Sequence, residues 1–209
     1  AFCSRVAAGD SLMMGDSKIV GQLTWPLVVL GVGLGLAWAP EGVLAALQWD
    51  RGALQDGQWW RLWTGHAVHF SATHAMSDLV PLAFLVAWAQ ARWGSAKLLL
   101  ALCLSAAVVS LGLLWLVPDM QQYRGASVWV TFLGVALGLQ AGWQRPEWRW
   151  ALLGVALLAA AKTLADIYGG SGLASNLPPG VDVAWEAHLL GAALALGAAA
   201  TSIKFRRLS

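Results

Sequence analysis

A chain of 209 residues that is 58% hydrophobic and only 11% charged does not have water as its main solvent, because soluble domains carry about 25% charged residues. The formal net charge of +2 is small, and no nucleic-acid partner is expected. The two cysteines, Cys3 and Cys103, lie far apart, and Cys103 falls in an apolar run, which argues against a disulfide framework.

Residues 1–20 read as an N-terminal tail, and residues 21–209 as one membrane domain. Met13 and Met14 precede the first apolar run and could mark the true start, so residues 1–13 carry no functional weight. The first run is long and has no clear small-residue cleavage site, unlike a cleavable signal. Six apolar runs follow in order: Leu23–Leu47, Ser71–Gln90, Leu98–Val117, Ala126–Trp143, Trp150–Leu164 and Val183–Ile203. They are continuous rather than alternating, which favours helices over strands. A spanning helix needs about 20 apolar residues, and a helix satisfies its own backbone in lipid. Pro118, Pro146, Pro178 and Pro179 fall in the gaps, where helix breakers belong. Pro81 lies inside the second run and is expected to kink it. The longest connections cover Gln48–Phe70 and Ala165–Asp182, the latter rich in Gly and Pro and predicted to be mobile. The expected fold is all-α: a polytopic membrane protein built as a bundle of six transmembrane helices.

Basic residues orient such a bundle. With the N-terminus inside, the cytoplasmic segments hold Lys18, Arg92, Lys97, Arg145, Arg149, Lys204, Arg206 and Arg207. The outer segments hold Arg51, Arg61 and Arg124 together with most of the acids. Both termini are therefore expected on the cytoplasmic side. The 14 tryptophans cluster near run ends, as interfacial belts do.

In that topology the second, fourth and sixth runs all travel inward. Ser127 opens the fourth run, and His188 lies about 6–8 Å into the sixth. His74 and Asp78 sit near the start of the second. A hydroxyl, two imidazoles and a carboxylate thus converge at one depth, and ionisable groups within a membrane point to function by default. Ser127, Thr131, Gly134 and Gly138 form one stripe at helical spacing; His188, Gly191, Ala192 and Ala195 form another. Facing stripes would bring the Ser127 hydroxyl to the His188 ring, as a nucleophile and its base require. The blander alternatives are that Ser127 bonds back to its own helix and that the small residues only pack helices. A metal site at His66, His69, His74 and Asp78 is a further alternative. It is disfavoured because no H-E-x-x-H occurs and His69 and His74 are five apart. No metal or other cofactor is expected.

Three ordered motifs carry a family resemblance. Trp60-Arg61, Thr64, His69, Phe70-Ser71, His74 and Asp78 resemble the rhomboid pattern W-R-x-x-T, H-F-S-x-x-H-x-x-x-N. Gly125-Ala126-Ser127 resembles the nucleophile motif G-x-S-G, and Ala187-His188-Leu189-Leu190-Gly191 resembles A-H-x-x-G. The stretch Gly57-Gln58-Trp59-Trp60-Arg61-Leu62-Trp63-Thr64-Gly65-His66 is most similar to the rhombosortase branch.

The resemblance implies an intramembrane serine endopeptidase with a Ser127–His188 dyad. The Ser127 backbone N–H and the His74 side chain would stabilise the oxyanion, with Asp78 and Gly125 supporting the site. His69, Trp60, Arg61 and Gly191 would be structural. For Trp59, Trp60, Trp63 and Arg61, seating and bracing of the first loop is the expected role. The implied partners are the lipid bilayer and single-span membrane substrates, cleaved near the outer face of a bacterial inner membrane. The rhombosortase likeness narrows these to C-terminal anchors with a Gly-rich motif, an apolar stretch and a basic tail. Nothing in the sequence specifies an oligomeric state. Three positions depart from the family: Val128 replaces Gly, Asp78 replaces Asn, and Thr131 replaces a common Tyr. The first two support the alternative of a catalytically inactive relative that binds membrane clients.

Overall fold

The computed structural model describes residues 24–169 and 184–208. The tail at residues 1–20, Cys3 and most of the fifth connection lie outside the described residues. The first apolar run does not continue to Leu47 as one helix. Helix α1 covers Thr24–Ala37, and a turn closes it with Ala39 N–H donating to Leu36 O at 3.0 Å. Pro40, which has no N–H to extend a helix, then sits before a separate short helix, α2 (Glu41–Leu47).

The first connection is more ordered than a loop. It contains β1 (Trp49–Asp50), α3 (Arg51–Gln55) and α4 (Arg61–Thr64). The long helices α5 (Ala72–Trp93) and α6 (Ser95–Leu116) follow, joined at Gly94. Next come β2 (Gln122–Tyr123), α7 (Ser127–Gln144), α8 (Arg149–Gly169) and α9 (Trp185–Leu208). The expected all-α fold therefore carries a small correction: β1 and β2 pair antiparallel, with Trp49 opposite Tyr123 and Asp50 opposite Gln122. Pro81 lies within α5, which remains one helix through Trp93.

Helices α5 and α6 are long and apolar enough to cross a bilayer, while α1 and the Trp185–Ala200 part of α9 are shorter apolar helices. Large apolar side chains cover the outside, including Val80, Phe84, Leu104, Trp115 and Val155. Such a surface suits lipid rather than water. Helix α7 is central and packs against α5, α6, α8 and α9.

Arginines tie the first connection to the helix ends. The Arg51 guanidinium donates to the carbonyls of Leu113 (3.1 Å), Leu114 (2.8 Å), Val117 (2.7 Å) and Met120 (2.9 Å). It thereby satisfies the carbonyls that α6 leaves open at its C-terminus. Arg61, buried on α4, donates to Ala45 O and Gln48 O at 2.8 and 2.7 Å and to Gln58 Oε1 at 2.8 Å. Thr64 Oγ1 donates to Leu47 O at 2.6 Å.

This bracing brings Gly65 against β1. A Cβ on Gly65 would lie 2.7 Å from Trp49 N and 2.8 Å from Trp49 Cβ, so one backbone or the other would have to move. We expect Gly65→Ala to destabilise the protein by about 1–3 kcal/mol, as overpacking does. Thermal unfolding in detergent micelles measures this, and an unchanged midpoint would refute the close seat of Trp49 on Gly65.

Candidate active site

The site is built around the turn that leads into α7. Gly125 has a φ of +143°, in the region that favours glycine. Its N–H donates to Gly65 O at 3.1 Å, locking the turn to the first connection. A Cβ there would stand 3.2 Å from both Asp78 Oδ2 and His74 Nε2. Glycine thus meets both a backbone demand and a lack of space.

The neighbouring residues hold this turn from the other side. Arg124 is buried, with Nε donating to Gln48 Oε1 at 2.8 Å and its terminal nitrogens paired with the Glu41 carboxylate. Its guanidinium lies 4.9 Å above the Phe70 ring. The Arg124 hydrogen bond holds the Glu41 carboxyl below its usual range.

Tyr123 Oη donates to Gly125 O at 2.5 Å and lies 3.5 Å from Ser127 Oγ. Burial raises the Tyr123 hydroxyl above its ordinary pKa of 10.0; hydrogen bonds from Ser127 and Val128 oppose that, and Asp78 adds to it. The phenol is therefore protonated at neutral pH.

Ser127 is the first residue of α7. The N–H groups of a first helical turn have no partner within the helix, so this end of α7 favours negative charge. Thr131 Oγ1 donates to the Ser127 carbonyl at 2.8 Å, leaving Ser127 Oγ to other partners. His188 lies in the first turn of α9, which starts at Trp185 rather than Val183. One turn further on, Gly191 allows α9 to close on α7. A Cβ on Gly191 would lie 3.2 Å from Val128 O and 3.6 Å from Thr131 Cβ. The upper part of the expected small-residue contact is thus present. Its lower part is not: a Cβ on Gly134 would meet Leu85 of α5, and one on Gly138 would meet Leu152 of α8. Val128, the residue after Ser127, is fully buried in a cluster that includes Ala187, Leu190 and Leu194.

Beside the turn, Asp78 Oδ2 lies 3.4 Å from His69 Nε2 and 3.6 Å from His74 Nε2. His188 is within electrostatic reach of the same carboxyl. Ala126 N–H donates to His69 Nε2 at 3.4 Å. The Gly125–Ala126 peptide is therefore held at both ends, its carbonyl by Tyr123 and its N–H by His69. Ser71 caps α5 by accepting from His74 N–H at 3.1 Å, which fixes His74 in the first turn. His69 Nε2 and His74 Nε2 thus both face Asp78 Oδ2, at separations longer than a normal hydrogen bond. Among the described residues, no group of three or more His, Cys, Asp or Glu side chains is arranged to hold a metal ion.

The structure thus gathers His69, His74, Asp78, Gly125 and Ser127 at one end of α7, with His188 and Gly191 on the adjoining helix. Trp60 and Arg61 stand apart on the first connection; Trp60 is exposed and its indole N–H reaches Ala46 O at 3.4 Å. Tyr123 and Arg124 were not legible as site residues. Their roles depend on strand β2, whose two residues give no periodic signal. His66, a metal-ligand type by sequence, has a packing role. It is fully buried, with Nε2 3.0 Å from Ser110 Oγ. Ser110 Oγ donates to Leu62 O at 2.8 Å, so His66 Nε2 is the donor in the contact between them.

Apolar helices with lipid-compatible outer faces, and polar groups gathered at the start of a central helix, define an integral membrane protein with a buried polar site. The Rhomboid domain model matches residues 56–206, well over half of the chain, and the chain belongs to the rhomboid family. Its members are intramembrane serine proteases that act on membrane-protein substrates, which supports that kind of function here. No curated protein gives a significant match to the chain.

Burial lowers the His66 pKa from 6.5 to about 4, against the opposing pull of the Ala106 and Gly125 carbonyls. The unfolded chain binds this proton more readily, so His66 contributes stability that is complete above pH 6.5 and lost as pH falls towards 4. The loss should reach about 3 kcal/mol at the acid end. We expect His66→Gln to flatten this part of the stability profile, as measured by thermal unfolding in micelles between pH 7 and 4.5. Parallel profiles for the two proteins would contradict it.

Proposed function

We propose that this protein is an intramembrane serine endopeptidase in which Ser127 is the nucleophile and His188 the base. The observation that carries this reading is the junction of α7 and α9. Ser127 opens α7, Gly191 brings α9 against the next residues of α7, and His188 lies one turn from Gly191 at the same end. Ser127 Oγ attacks the scissile carbonyl carbon as its proton passes to His188. The imidazolium then protonates the leaving amine. Water, deprotonated by His188, attacks the acyl ester and releases Ser127. The Ser127 N–H and the His74 side chain stabilise the oxyanion.

Asp78 stands where the family has Asn, and a bare carboxylate there would repel an oxyanion. The active reading requires that a proton held among Asp78, His69 and His74 offset that repulsion. The inactive, client-binding alternative draws its support from the same residue, if Asp78 keeps His74 engaged.

The proposed topology has six spans, both termini cytoplasmic, and the site towards the periplasmic side of a bacterial inner membrane. Proposed substrates are single-span proteins. The Gly57–His66 stretch favours rhombosortase-type removal of C-terminal Gly-rich sorting anchors.

The test is cleavage, in membranes, of a reporter ending in a Gly-rich motif, an apolar helix and a basic tail. Wild type should process it, while Ser127→Ala and His188→Asn should each lose at least about a hundredfold, the scale of general-base contributions. Asp78→Asn should retain measurable cleavage. Equal processing by wild type and Ser127→Ala would overturn the nucleophile assignment. An intact reporter in all strains, with stable binding to it, would favour the client-binding reading.

A further inference from the structure

Tyr123 has a single hydroxyl proton, and the 2.5 Å bond to Gly125 O uses it. Its oxygen therefore faces Ser127 Oγ, 3.5 Å away, with lone pairs only. In that contact the serine must be the donor. The other hydroxyl beside Ser127, that of Thr131, is committed to the Ser127 carbonyl. A serine hydroxymethyl has three staggered rotamers, and an acceptor in a fixed place selects among them.

We propose that Tyr123 is a positioning residue for the nucleophile. Its oxygen accepts the Ser127 hydroxyl and holds Oγ in one rotamer at the start of α7, while its proton anchors the Gly125 carbonyl that precedes it. This rests on the assignment of Ser127 as nucleophile. During attack the Ser127 proton leaves Tyr123 for His188; no proton is gained or lost by Tyr123, and its bond to Gly125 persists. Tyr123 therefore affects how often Oγ is aimed, and neither the basicity of His188 nor the affinity for substrate.

The measurement is the rate of Ser127 labelling by a fluorophosphonate probe, together with kcat and KM for the reporter, on protein in membranes. Tyr123→Phe should lower the labelling rate and kcat together by about three- to tenfold, the scale of one net hydrogen bond. KM and the midpoints of the pH profile should stay put. Loss of the Gly125 anchor also threatens the fold, so a second variant carries 3,5-difluorotyrosine at position 123. It keeps the ring and the donor bond but makes the oxygen a poorer acceptor. It should label more slowly than wild type with an unchanged unfolding midpoint. Wild-type labelling rates in both variants, with Ser127→Ala unlabelled, would overturn this inference alone. A change confined to the unfolding midpoint would do the same by reducing Tyr123 to a scaffold residue. Labelling of Ser127→Ala at the wild-type rate would overturn the nucleophile assignment and this inference with it.

Discussion

The backbone contact between Gly65 and Gly125 is the constraint on which the rest of the site depends. The Gly125 N–H reaches the Gly65 carbonyl at 3.1 Å. That approach leaves no room for a side chain at Gly65 against Trp49, nor at Gly125 against His74 and Asp78. Because the two segments meet there, β1 can pair with β2, and Tyr123 is buried beside the turn into α7. Ser127 takes its place at the helix start as a result of this docking, with its orientation set from outside α7.

Keeping an irregular connection against apolar helices requires that its polar groups be paired, since an unpaired buried group costs about 1–3 kcal/mol. Three arginines do most of this. Arg51 closes the end of α6, Arg61 closes the end of α2, and Arg124 links the turn before Ser127 to Gln48 and Glu41. Each guanidinium serves several acceptors at once, which a lysine could not match. Beside that turn, His69 and His74 bring their Nε2 atoms to 3.4 and 3.6 Å from Asp78 Oδ2. Arg124, His69, His74 and Asp78 adjoin the turn that leads to the proposed nucleophile, while Arg51 and Arg61 brace the first connection away from it.

Much of this arrangement could be read from sequence because helices at membrane depth leave continuous apolar runs. The positions of α5, α6, α7 and α9 follow those runs to within a few residues. Ser127 stands out because it opens such a run, and His188 because it is an ionisable group about a turn into one. The break in the first run is hard to read although Pro40 marks it, because only Glu41 and Gly42 separate it from the apolar residues that follow. The lower half of the small-residue stripe on α7 was misassigned for a different reason. Spacing defines one face of a helix, but Gly134 and Gly138 lie far enough along α7 to meet α5 and α8 instead of α9. Tyr123 and Arg124 were illegible because their partners, Gly125, Gln48 and Glu41, are set by tertiary docking. Asp78 is visible as a departure from the family pattern, but its place between two imidazoles depends on how the first connection docks on α5.

The central claim is that Ser127 is activated by His188, and peptide mapping of a fluorophosphonate adduct tests it most directly. Wild-type protein and His188→Asn would be treated in membranes, digested and compared by mass spectrometry. The adduct is expected on the peptide containing Ser127 in wild type and should be absent from it in His188→Asn. An adduct on another residue, or equal modification of Ser127 without the imidazole, would contradict the dyad.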